Sequence, residues 1–81
     1  MEKRIAVMGI IVDNVIETPK INALLHDYRE YIVGRMGIPY PPRDLAIISI
    51  VIDAQQDKIS ALSGKLGMIE GVSVKTVYSK K

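Results

Sequence analysis

Few side chains in this sequence could do chemistry, and their types exclude more than they offer. His26 is the single histidine and cysteine is absent, which removes thiolate nucleophiles, disulfides and the usual nitrogen–sulfur metal sites. With no second His and no Cys beside His26, a transition-metal site within one chain is not expected, though symmetry could bring two copies together, and no serine has a recognisable base and orienting acid. The residues therefore predict no catalytic centre, no metal and no cofactor: the chain reads as a non-enzyme. SGKLG, residues 63–67, pairs Gly64 with Lys65, but a phosphate loop needs a glycine where Ile59 stands and a hydroxyl residue where Leu66 stands. Lys65 is expected instead near the C-terminal carbonyls of a helix. An acylphosphatase-like site would need an arginine in a phosphate-cradling loop after the first strand, where this chain has Asp13, Asn14 and Glu17.

Binding is what remains. Asp13 and Asn14 end an apolar run, at a strand-to-helix loop where a small ligand can sit; the plainer reading is that they only start a turn. The second place is IVGRMGIPYPP, residues 32–42, with Gly34, Arg35 and Gly37. Missing side chains in a strand permit a bulge or the close approach of another backbone or a ligand. Simple alternation sets Arg35 on the face of Tyr31 and Val33, opposite Ile32 and Met36. There it could meet a carboxylate of another chain or an anionic ligand, the default being a solvated edge charge. Asp13, Asn14, Gly34, Arg35 and Gly37 are the candidate ligand residues.

The elements that must position them follow from the hydrophobic pattern. IAVMGIIV, residues 5–12, reads as a strand buried on both faces. Thr18 and Pro19 fit an N-cap with proline at the first helical position, and Ile21, Leu24, Leu25 and Tyr28 then form one helical stripe. Residues 31–38 read as a second strand, ended by prolines 39, 41 and 42, with a turn over 39–44. LAIISIVI, residues 45–52, is the strongest strand signal. Asp53 and Gln56 resemble a capping box before a helix carrying Ile59, Leu62 and Leu66, with Gly64 in a tight contact and Gly67 as its C-terminal cap. Residues 72–78 form the last strand.

The order βαββαβ predicts an α+β, ferredoxin-like fold: an antiparallel four-stranded sheet with two helices on one face and the first and third strands central. With 81 residues, 48% of them hydrophobic and 25% charged, residues 1–81 are expected to make a single domain. Both faces of both central strands are apolar, and two helices cover only one of them. A homo-oligomer, dimer or tetramer, formed through the sheet is therefore expected.

The formal charge of +2 is scattered, so no continuous footprint for nucleic acid exists. Direct DNA contact stays open only through the pooled charge of an oligomer. RNA-recognition modules of this strand order stack bases on aromatic residues of the central strands, and these strands carry none. No apolar run is long enough to span a bilayer, and the charged start is followed by Asp13 and Asn14 rather than a cleavage site, so no membrane role and a cytoplasmic address are expected.

VGRMGIPY together with SGKLG and GVSVK resembles a family of small proteins assigned to regulation of the iron-only hydrogenase system. The similarity runs through RIAVMGIIV, IVGRMGIPY, IISIVIDAQQDKISALSGKLG and IEGVSVK. The resemblance implies an ACT-like ferredoxin fold, similar to the C-terminal sensing domain of nickel-responsive repressors, which oligomerises through such domains. It also implies a regulatory or sensor module, a transcriptional regulator working through oligomerisation and a small ligand; the alternative is a protein–protein adaptor or oligomerisation domain without one. The several His and a Cys that hold metal in those repressors have no counterpart beyond His26. The glycine that amino-acid-binding ACT domains place after the first strand is missing from VDNVIETP, residues 12–19.

Overall fold

A computed structural model describes residues 2–80. The elements are β1 (Lys3–Val12), α1 (Thr18–Asp27), β2 (Ile32–Tyr40), β3 (Leu45–Gln55), α2 (Gln56–Gly67) and β4 (Val72–Tyr78), with single 3-10 turns before α1, after it and after β2. The strands form one antiparallel sheet in the order β2-β3-β1-β4. This is the ferredoxin-like arrangement that the element order predicts, with β1 and β3 central.

Period-two alternation sorts the central strands. Ala6, Met8, Ile10 and Val12 of β1 and Ile48, Ile50, Ile52 and Ala54 of β3 are buried beneath the helices. Onto them pack Ile21, Leu25 and Tyr28 of the first helical unit and Ile59, Leu62 and Leu66 of α2. Leu24, expected on the same stripe, packs at the margin of this core. Burying a large aliphatic side chain contributes roughly 1.5–3 kcal/mol, so this single layer of contacts dominates what holds helices to sheet. Lys65 lies in the last turn of α2, as expected, and its side chain reaches the residue that caps α1: Nζ donates to the Tyr28 hydroxyl at 3.1 Å and sits 5.3 Å from the ring centroid.

Several expected boundaries move. β2 runs through Pro39 to Tyr40, paired with Ala46 and Leu45; an edge strand tolerates proline because the missing N–H is not required by a second neighbour. β3 continues to Gln55 because Asp53 and Gln55 pair with Ile5 and Lys3. The ladder thus takes Asp53, no capping box forms, and the N-cap position falls to Gln55, whose side chain does not cap the helix. Pro19 is in the first turn of α1, but the residue before the helix is Glu17, and the side chain that caps is Asn14, which accepts from the Ile16 N–H at the preceding 3-10 turn. Gly67 is the last residue of α2 with Met68 as its cap, and a Cβ on Gly64 would meet nothing within 4 Å, so no tight contact explains that glycine.

Candidate functional site

One inserted residue decides where Arg35 points. Ile32 pairs with Ile52 and Gly34 with Val51, so Val33 is an extra residue, a β-bulge. Two residues of β2 there oppose one step of β3, and the side-chain phase flips. Ile32 and Arg35 consequently share the helix-covered face, where alternation alone had set them on opposite faces; Arg35 and Met36 are opposed, as expected. The Arg35 guanidinium does not reach the open sheet face. It lies against α1, with Nη2 donating to Asn22 Oδ1 at 3.0 Å.

This contact stands between two adjoining hollows. One, of about 270 Å3, is lined by Thr18, Asn22, Arg35, Gly37 and Pro39 over the floor of Ile48. The other, also about 270 Å3, is lined by Asn22, His26, Arg29, Ile32 and Arg35 over Leu25. Arg29 is held over the end of α1 by a bond from Nη1 to the His26 carbonyl at 2.9 Å. Two guanidinium groups and an imidazole thus border one cleft, and its lining holds no carboxylate. Such a wall suits an anion, for which planar N–H forks give charge-assisted hydrogen bonds. Thr18, Asn22, His26 and Arg29 are residues that the sequence reading passed over as ligand contacts. Their spacing of four, four and three is a polar helical stripe beside the apolar one, and that was the available signal.

The other candidates lie elsewhere. Gly37 shares the cleft with Arg35. Gly34 pairs with Val51 and belongs to the opposite, open face. Asp13 and Asn14 sit at the end of the sheet, where the Asp13 N–H donates to the Gly71 carbonyl at 2.7 Å. Gly71 has φ +78°, and a Cβ there would fall 2.8 Å from the Asn14 Cβ. That close approach locks the β1–α1 loop to the loop before β4. Neither side chain lines the two hollows. At the start of α1, the Glu17 carboxylate 2.8 Å from Lys20 Nζ raises the pKa of the ammonium above its ordinary value. Among the described residues, no three His, Cys, Asp or Glu side chains could together hold a metal ion.

The uncovered sheet face is the other conspicuous feature. Its middle rows, read across β4, β1, β3 and β2, are Val77–Val7–Val51–Gly34, then Lys75–Gly9–Ser49–Met36, then Ser73–Ile11–Ile47–Ile38. Val7, Ile11, Ile38 and Ile47 stay between 38% and 45% exposed, Met36 59%. A hollow of about 310 Å3 opens beside Gly9, bounded by Ile11, Ile47, Ser73 and Lys75.

A family described as "Iron-only hydrogenase system regulator, putative" matches residues 4–76. The chain belongs to this TM1266-like family. It is 45% identical to TM1266 of Thermotoga maritima, whose structure it matches with a TM-score of 0.93 over 98% of this chain and 100% of that one. The C-terminal domain of the MgtC protein from Mycobacterium tuberculosis is 15% identical, with a TM-score of 0.74 over 95% and 88% of the two chains. The ACT domain of a GTP pyrophosphokinase from Chlorobium tepidum is 18% identical, with a TM-score of 0.65 over 100% and 91%. The last two likenesses speak for fold alone, and the fold is the ACT-like ferredoxin arrangement. No curated protein matches the chain. No helix among the described residues is long and apolar enough to cross a membrane.

Proposed function

We propose that this protein is a cytoplasmic, non-enzymatic sensor module, one domain over residues 1–81, that regulates the iron-only hydrogenase system at transcription by changing its own assembly. The observation that carries the reading is the open sheet face, where Val7, Ile11, Met36, Ile38 and Ile47 stand in water in a member of a regulator family. A face of this kind is covered in a dimer or tetramer. The ligand is a small carboxylate or phosphate held at Arg35, Asn22 and Gly37, with Arg29 and His26 on its flank; Asp13, Asn14 and Gly34 act as loop lock and face residue rather than as contacts in that cleft.

The sheet supplies a route between the two. β2 carries Arg35 and Gly37 toward the cleft and Gly34, Met36 and Ile38 toward the open face, so a ligand that moves this edge strand alters the oligomer surface directly. It shifts assembly only as far as it binds one assembly more tightly than another. Light scattering should give a dimer or larger at micromolar concentration; a clean monomer would remove the basis of this reading. A panel of small carboxylates and phosphate esters should include members that raise the melting temperature. If none does while the oligomer persists, the apolar face favours the second reading, an adaptor that docks another protein without a small ligand.

A further inference from the structure

The open face has a pattern of sizes as well as of polarity, and the sizes specify how a second copy would sit on it. Two of its positions are glycines, Gly9 on β1 and Gly34 on β2, and a Cβ on either would meet nothing within 4 Å inside the chain. Neither has a positive φ, so backbone conformation does not demand glycine there. Each leaves a hole on a face where Val7, Ile11, Ile38 and Ile47 stand up, and the row of Gly9 runs through Ser49 to Met36, at 59% more exposed than any of those four. Knob and hole thus share one face, as a two-fold contact requires: in such a contact, when residue i of one copy meets residue j of the other, j meets i.

We infer that two copies pack open face to open face about a two-fold axis running along β3, so that Met36 of each copy seats over Gly9 of the other. The axis follows from comparing the three placements that overlap the sheets well, two with the axis along the strands and one with it across them. The one across, through the row of Gly9, sets Lys75 on Lys75 and leaves Gly9 facing Gly9. An axis through the middle of the sheet, between β3 and β1, sets Met36 against Lys75 and Gly9 against Ser49. That arrangement sets the Lys75 ammonium against an apolar side chain and leaves the hole at Gly9 facing Ser49, unfilled. An axis along β3 sets Met36 against Gly9, Val7 against Gly34, Ile11 against Ile38, and Val51, Ser49 and Ile47 against their own copies. Both glycine holes are filled, and Lys75 stays at the wet rim. Aligned sheets about 10 Å apart accept such an arrangement.

The area supports a second copy as occupant. Val7, Ile11, Met36, Ile38, Tyr40 and Ile47 each keep 38–59% of their surface in water. At ordinary side-chain areas that is roughly 500–600 Å2 before Leu45, Val51 and the polar rim are added. A stable dimer covers about 800 Å2 on each partner. The inference rests on the assembly proposed above, and its test separates the two.

The test is sedimentation equilibrium of the whole chain, with circular dichroism to confirm folding. Gly9→Met should keep the monomer fold, because no atom of the chain occupies that space, and weaken the dimer about tenfold or more. Met36→Gly should weaken it less. The double variant, which exchanges knob and hole, should recover most of the lost affinity. Positions 9 and 36 are two strand spacings, about 10 Å, apart within one copy, so non-additivity of this kind reports a contact between copies. Gly34→Leu, crowding Val7 of the partner, should weaken the dimer likewise, and it replaces the first variant if Gly9→Met does not fold. A wild-type dimer indifferent to both glycine substitutions, or a double variant no better than the worse single one, overturns this packing while leaving assembly intact. A monomeric wild type overturns both.

Discussion

Arg35 shows how far a single residue can be read from sequence. Its type was informative: an isolated guanidinium between two glycines is a reasonable anion contact. Its direction was not, because alternation counted through Val33 without the bulge. On the helix side its bond to Asn22 is exposed, and exposed polar contacts contribute at most about 1 kcal/mol. Arg35→Ala should therefore leave the oligomer mass unchanged, cost no more than about 1 kcal/mol in chemical denaturation, and abolish any thermal shift produced by carboxylates or phosphates. If the variant dissociated into monomers, the placement of Arg35 on the ligand side and Met36 on the assembly side would be wrong. Thr18, Asn22 and His26 were legible in principle as a four-residue repeat, but only the packing of α1 beside β2 makes that stripe the wall of a cleft.

At the scale of the element, the order βαββαβ and the two apolar faces could be read directly, because β1 and β3 carry long, nearly continuous apolar runs. The ends could not. Asp53 followed by Gln56 is a good capping pattern locally, yet pairing with β1 extends β3 past it. Proline stops a central strand and is tolerated on an edge, and neighbour relations are not written in β2 itself. The bulge is similar: it adds one residue to β2 and leaves the register of Gly34 through Tyr40 intact. Deleting Val33, which is 67% exposed, would bring Ile32 and Gly34 into consecutive pairing with Ile52 and Val51. The deletion should still unfold cooperatively, with a loss of under about 1 kcal/mol in urea titration. Deleting Met36 instead should cost more, since either Gly37 to Tyr40 must exchange faces or, if the bulge straightens to absorb the loss, Gly34 and Arg35 must. Equal damage from the two deletions would show that Val33 is not the surplus residue.

For the molecule as a whole, the open face and the small size belong together. A chain of 81 residues buries a smaller fraction of its surface than a large domain does, and here the second face of the only sheet among the described residues is left without helices. Its core, one layer between two helices and the sheet, folds the monomer; covering the other face adds a second layer. If that layer forms between copies, folding and assembly are linked by mass action, and the melting temperature must rise with protein concentration. With an unfolding enthalpy of about 0.7 kcal/mol per residue, a two-state dimer of this size should gain roughly 4 °C for each tenfold increase in concentration. Differential scanning calorimetry across two decades measures this directly. Gly9→Met should flatten the dependence and keep a cooperative transition, because it removes the second layer and spares the first. A flat dependence in the wild-type protein, with a high melting temperature at every concentration, would mean that the helix-side core suffices alone and that the apolar rows await a partner other than a second copy.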